Sequence, residues 1–285
     1  MLLGWVVFLT SLVYIGALFL IAHWADTRGR ERVSRAWPTV YALALAVYCT
    51  SWTFYGSVGL AAKRGFEFLT IYIGPILLFA LCFPLLLRVA RIAKAQNITS
   101  LADFMGARYG RNQAVAVAVT IIAVVGSLPY VALQLKAVSV SLGVILTTQE
   151  PMPNVPTIFS GDMSFLVACA LALFAILFGT RQIDATEHQP GLIFAIAVES
   201  VVKLIAFVAV GLFVTFGLFS GPVDLFTRAA SDAAVTTVFG READVSVWFT
   251  MIALAFFCAL LLPRQFHVAI VENRHDRDVR RAAWL

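Results

Sequence analysis

Seven long apolar segments, with arginines gathered at every second connection, leave this chain few ways to fold. They run over about 2–24, 38–62, 66–88, 113–147, 163–179, 189–220 and 245–263. Each is about as long as a helix that crosses a ~30 Å hydrocarbon core, or longer. Arg28, Arg30, Arg32 and Arg35 follow the first segment, and Arg88, Arg91, Lys94, Arg108 and Arg111 follow the third. Arg181 follows the fifth, and Arg264, Arg274, Arg277, Arg280 and Arg281 follow the seventh. The connections between these are poorer in basic residues: Lys63 and Arg64, then none over 146–163, then Arg228 and Arg241 offset by Asp224, Asp232, Glu242 and Asp244. The positive-inside rule then sets the N-terminus outside and the C-terminus in the cytoplasm. The expected fold class is an all-α polytopic membrane protein.

Hydrophobic residues make up 61% of the chain and charged residues 13%, against roughly 25% charged in soluble domains. A chain so apolar could not cover its surface in water. The net charge of +5 comes mostly from the clustered arginines, which meet anionic lipid and call for no nucleic-acid partner. Cys49, Cys82, Cys169 and Cys258 all fall inside apolar segments and match no zinc spacing, so they are expected to be small buried residues. The first segment lacks a basic n-region and a cleavage site and reads as an uncleaved span.

The fourth segment, 113–147, would be about 52 Å long as a helix, so it must tilt, bend or project, with Gly126 and Pro129 the obvious place for a bend. Before it, 98–110 reads as a short amphipathic helix capped by Thr99 or Ser100, with Leu101, Phe104, Met105 and Tyr109 as its apolar stripe. The stretch 148–161 holds Pro151, Pro153 and Pro156 and reads as an external loop.

The second segment carries a run unlike a plain anchor: Tyr48, Cys49, Thr50, Ser51, Trp52, Thr53, Phe54, Tyr55, Gly56, Ser57, Val58, Gly59. Two readings stand side by side. A helix unwound at mid-membrane, where protein or a cavity satisfies the freed backbone, builds ion and substrate sites in secondary transporters. Small residues also serve simple close packing of helices. Gln134 and Lys136 lie in the fourth segment, and Glu199 and Lys203 lie in the sixth at i, i+4, where they share a face and are expected to pair toward the bundle interior. A buried Lys among seven spans also fits a retinal protein, but this one is not in the last span and no aromatic-lined counter-ion arrangement accompanies it. His23, His188, His267 and His275 form no paired ligand spacing, and neither a Gly-x-Ser-x-Gly elbow nor a phosphate loop occurs. The chain as given therefore shows no enzyme signature.

Three stretches resemble the sodium:solute symporter family: the small-polar run ending in Gly56 and Gly59, the loop 98–104 with Arg108, Tyr109 and Gly110, and the pair Leu133–Gln134. The runs 48–56, 262–268 and 271–273 look like one branch, in which the symporter-like domain is the N-terminal part of a sensor histidine kinase of the CbrA type. The resemblance implies a LeuT-type fold of two inverted five-helix repeats behind a leading helix. Segment 2–24 would be the leader, 38–220 the first repeat, 245–263 the first helix of the second, and 264–285 a cytoplasmic tail. On that scheme the chain is a fragment that should not transport by itself. It also implies a bacterial inner-membrane location and a small organic solute, an amino acid, with histidine the solute associated with the branch. A cytoplasmic kinase module would be the partner in a full-length parent. A sodium ion would be held by the carbonyls of Ala46 and Cys49, and the substrate pathway would be lined by Thr50, Ser51, Trp52, Tyr55, Gly56, Gln134 and Glu199. Tyr48 stands where family members often carry Asp, Glu199 where many carry Asp, and Val202 where a Gln often follows. These departures weigh against sodium coupling and suit a protein whose main output is signalling; solute transport is the expected function, and solute sensing for a kinase the alternative.

Overall fold

The computed structural model describes residues 4–147 and 190–282, together with Phe165, Ala168, Cys169, Ala172 and Leu173, which are helical. The remainder of the fifth segment, the loop 148–161, Arg181 and His188 lie outside the described residues. Every regular element among the described residues is helical. Helix α1 spans Gly4–Asp26, α2 Arg30–Arg35, and α3 Trp37–Tyr48, the last turn of which is 3-10. Then come α4 (Ser51–Arg64), α5 (Thr70–Ile76), α6 (Phe83–Ala95), α7 (Leu101–Arg108) and α8 (Gln113–Thr147). They are followed by α9 (Pro190–Phe213), α10 (Pro222–Ser231), α11 (Ala233–Phe239), α12 (Val245–Leu261), α13 (Pro263–Val271) and α14 (Asp276–Ala282).

Leu9–Asp26, Tyr55–Leu81, Gln113–Ile145 and Pro190–Leu218 are helical, apolar and at least 18 residues long, while α12 and α13 form a fifth such stretch bent by 55°. The second of these is a hairpin rather than one crossing. Gly65 has φ +59, a left-handed conformation open to glycine, and a Cβ there would meet the Val238 carbonyl oxygen at 2.7 Å. Beyond this turn the Tyr72 hydroxyl donates to the Ser57 hydroxyl at 3.0 Å, across 15 residues. A continuous helix would place those residues about 22 Å apart, so the chain reverses here, and it is the turn Gly65–Leu69 that packs against α4. The chain continues through a π-turn at Leu77–Leu81 to a break at Cys82, and Pro84 sits in the first turn of α6, where its missing N–H costs nothing. The segment expected as one span over 66–88 is thus interrupted.

In contrast, α8 is continuous through Gly126 and Pro129; Pro129 removes only one bond of the ladder. Helix α7 is capped as expected, the Asp103 N–H donating to the Ser100 hydroxyl at 3.1 Å. Phe104 packs edge-on against Phe266 at 5.8 Å, but Tyr109 is exposed and leaves the stripe.

The buried core lies at one end of the molecule. Trp37, Tyr41 and Ala44 of α3 meet Leu86 and Ala90 of α6, Ile193 and Ala197 of α9, and Phe266, Val268, Ala269 and Ile270 of α13. Residues 264–282 are therefore part of the packed body, not a free tail: Gln265, Glu272, Asn273, Asp278 and Val279 are all buried. The apolar run Phe266–Val271 gives that stretch something to bury, and the Lys94 ammonium reaches Asn273 Oδ1 at 2.6 Å. Elsewhere α12 lies along α5 and α1 along α9. At the first crossing a Cβ on Gly74 would come within 2.5 Å of the Phe256 amide nitrogen and 2.6 Å of the Ala255 methyl, the small-on-small contact by which membrane helices approach closely. The distal half of α9 and most of α8 present apolar side chains outward on all sides, among them Leu204, Phe207, Phe213, Ile122 and Val125, as helices immersed in lipid do. The cysteines form no disulfide among themselves. They are not the buried residues expected, since Cys49 and Cys169 are exposed and Cys82 and Cys258 half-buried. Apolar sequence context sets which solvent a residue prefers, not whether protein covers it.

Candidate functional site

The run of small polar residues in the second segment breaks the helix. Helix α3 closes with the Cys49 N–H donating to the Ala46 carbonyl at 2.8 Å in a 3-10 turn. Cys49 (ψ 107) and Thr50 (φ −115, ψ −179) are then extended, and the helix restarts at Ser51. Thr50 and Thr53 form a capping box, with the Thr50 N–H donating to the Thr53 hydroxyl at 3.1 Å. Such hydroxyl residues offer the backbone local partners that compete with the helical ladder, which is why the break falls here.

Gln134, on α8, spans the restart. The Ser51 hydroxyl donates to Gln134 Oε1 at 2.5 Å, and Gln134 Nε2 donates to the Thr50 hydroxyl at 3.0 Å. On the other side, Lys203 of α9 donates from Nζ to the Cys49 carbonyl at 3.3 Å and pairs with Glu199 at 2.7 Å, one turn away. A cation is favourable at that point because α3 ends there with carbonyls that lack helical partners.

A second break lies between α12 and α13. Leu262 is extended, with ψ 131, because the following Pro263 disfavours the helical region for its predecessor. Arg264 leaves this break toward α8: its Nη2 donates to the Tyr130 hydroxyl at 2.8 Å, and its guanidinium carbon lies 5.6 Å from the Tyr130 ring centroid. Tyr130 and Gln134 are one turn apart, so a single face of α8 addresses both breaks. The two short half-helices are also joined directly, the buried Tyr41 hydroxyl donating to the Ala269 carbonyl at 2.6 Å.

The structure brings together Ala46, Cys49, Thr50, Ser51, Gln134 and Glu199. Tyr55 is exposed and Gly56 half-buried one turn further along α4, while the Trp52 side chain lies outside the described residues. Sequence reasoning missed three things: the Lys203–Cys49 contact, Tyr130, and Arg264, which positive-inside counting placed in a cytoplasmic connection. Pro263 directly after an apolar run was the available signal for the second break, and Tyr130, four residues before Gln134, was the signal for the shared face. Tyr130 stands half-way along the 35-residue α8.

The carbonyls expected for sodium each already accept one hydrogen bond. Ala46 already accepts the Cys49 amide, and Cys49 accepts the Lys203 ammonium. Among the described residues no group of three or more His, Cys, Asp or Glu side chains is placed to hold a metal. Comparison with protein-family models, with curated proteins and with solved structures returns no match to this chain.

Proposed function

We propose that this chain forms a symporter-type domain of a bacterial inner membrane that binds a small organic solute, an amino acid, between two discontinuous helices. On this reading α1 is the leading helix, α3 with α4 opens one repeat of a LeuT-type fold, and α12 with α13 opens its inverted counterpart. The observation that carries it is the pair of breaks, at Cys49–Thr50 and at Leu262, addressed by one side of α8. Interrupted apolar helices at matched positions are the usual mark of a mid-membrane solute site. Thr50, Ser51 and Gln134 supply its neutral hydrogen-bonding wall, and the α1 and α2 end faces the cytoplasm together with the arginine-rich connections.

A second reading, solute sensing for a cytoplasmic kinase module, is favoured by Lys203. A lysine ammonium already fills the carbonyl position where a coupling ion would sit, and binding without ion-driven accumulation serves a sensor. Proteoliposome uptake of radiolabelled histidine and other amino acids by the full-length protein, with and without sodium, decides. Accumulation that Gln134→Ala abolishes supports transport. Saturable binding without accumulation supports sensing. Neither, in protein that is folded, removes the solute-site reading.

A further inference from the structure

We propose that α10 is an in-plane anchor: it lies along the membrane surface at the end of α9 remote from the arginine-rich core, with Val223, Phe226 and Ala230 sunk among the chains of neutral phospholipid. This surface is independent of the solute-site reading and stands or falls apart from it. Local sequence sets the element up. Phe219 is extended (φ −122, ψ 162) and Gly221 takes φ +130, a region open to glycine, before Pro222 starts α10. The helix of α9 therefore ends, and α10 is a separate element. At about 100° per residue, Pro222, Val223, Leu225, Phe226, Ala229 and Ala230 share one face of it. Asp224, Thr227, Arg228 and Ser231 share the other. Leu225 and Ala229 are half-buried against the protein, whereas Val223 and Phe226 are 81% and 71% exposed.

Two observations set the depth of this face. The apolar stretch Pro190–Leu218 has 29 residues, about 43 Å of helix and more than a ~30 Å hydrocarbon core requires. Its outward residues continue to Phe213, Phe216 and Leu218, each 62–63% exposed, so the lipid-facing surface of α9 passes into that of α10 across only three residues. At the other end, α11 returns the chain to the turn between α4 and α5. There the Phe239 ring meets the Phe66 ring edge-on at 5.1 Å, and the Val238 carbonyl closes on Gly65. That turn carries the ion pair Arg64–Glu67 beside Lys63. Both ends of the segment are thus held where apolar helix gives way to charge, the border along which amphipathic helices lie. The polar face selects the lipid. Arg228 pairs with Asp224 at 2.8 Å, and the other Asp224 oxygen accepts the Ser220 N–H at 3.0 Å. A helix recruited by anionic lipid carries several free Lys and Arg; this one has a single arginine, already paired, so the apolar face alone holds it.

Spin labels at Val223→Cys, Phe226→Cys, Thr227→Cys and Ser231→Cys, in a full-length protein otherwise free of cysteine, test this in phosphatidylcholine proteoliposomes. Collision is measured with oxygen, which concentrates among lipid chains, and with a neutral nickel chelate, which stays in water. We expect the oxygen-to-nickel ratio at Val223 and Phe226 to exceed that at Thr227 and Ser231 by more than about threefold, and to be unchanged by added anionic lipid or by salt. Four sites equally open to nickel would put α10 in water and overturn the proposal. Shielding of Val223 and Phe226 from both reagents would mean that protein covers the face, a second copy or another chain, and would overturn it too. A difference seen only with anionic lipid would refute the neutral partner. The wild-type protein gives a check free of substitutions. A phosphatidylcholine with a photoactivatable carbene precursor near its glycerol backbone should label the peptide 219–232; labelled spans beside an unlabelled 219–232 would contradict the anchor.

Discussion

At the scale of single residues, Lys203 ties α9 to the first break. Its ammonium is shared between the Glu199 carboxylate on its own helix and the Cys49 carbonyl at the break. Both side chains are only partly covered, at 44% and 33% exposure, so the pair falls between a surface bridge and a buried one. Replacing Glu199 alone by Gln strands the ammonium and should cost about 1–3 kcal/mol of stability. Replacing the pair by Gln and Met removes the stranded charge and should cost less. Chemical denaturation in detergent micelles measures both; equal losses would mean the residues are uncoupled. The i, i+4 spacing made the pairing legible beforehand. The reach of Lys203 to a backbone carbonyl 154 positions away was not, because no periodicity encodes a contact between separate helices.

At the scale of elements, local sequence marked one break and hid another. The hydroxyls of Thr50, Ser51 and Thr53 made the first one of two readings, since those side chains compete for backbone groups wherever they stand. The second hid inside a stretch of Leu and Phe, where Pro263 reads as an ordinary terminus; only the helix beyond it, α13, makes it a break. The α4–α5 hairpin was legible as two segments, but its tightness depends on Gly65 and on the Tyr72–Ser57 contact. Gly74 gives the sharpest test at this scale. Gly74→Leu drives a side chain into the backbone of α12 at Phe256, and the α5–α12 pair should separate, with loss of more than about 3 kcal/mol. Gly59→Ala, where a Cβ meets nothing within 4 Å in a helix interior, should leave stability unchanged or raise it by up to about 1 kcal/mol. Unfolding midpoints of the two variants give the comparison, and similar midpoints would contradict the packing described.

At the scale of the whole molecule, the charge pattern and the packing agree on two unlike ends. The arginine-rich end carries the buried core of α3, α6, α9 and α13 with α14, while α8 and the far half of α9 expose apolar side chains. Composition made the membrane legible; the folding back of 264–282 into the core was not, because its arginines resembled those of a solvated tail. Substituting Arg30 by Cys in a protein otherwise free of cysteine should give a site that an impermeant thiol reagent reaches from inside-out vesicles and not from intact cells; labelling from outside would reverse the orientation. The central claim, that the two breaks enclose a solute site, is tested most directly by Cys49 itself, which lies exposed at the first break. With Cys82, Cys169 and Cys258 replaced by Ser, the rate of maleimide reaction at Cys49 is measured in membranes with and without each common amino acid. The account predicts that at least one of them slows the reaction more than tenfold and that Gln134→Ala abolishes the protection. A rate unchanged by every one of them would contradict it.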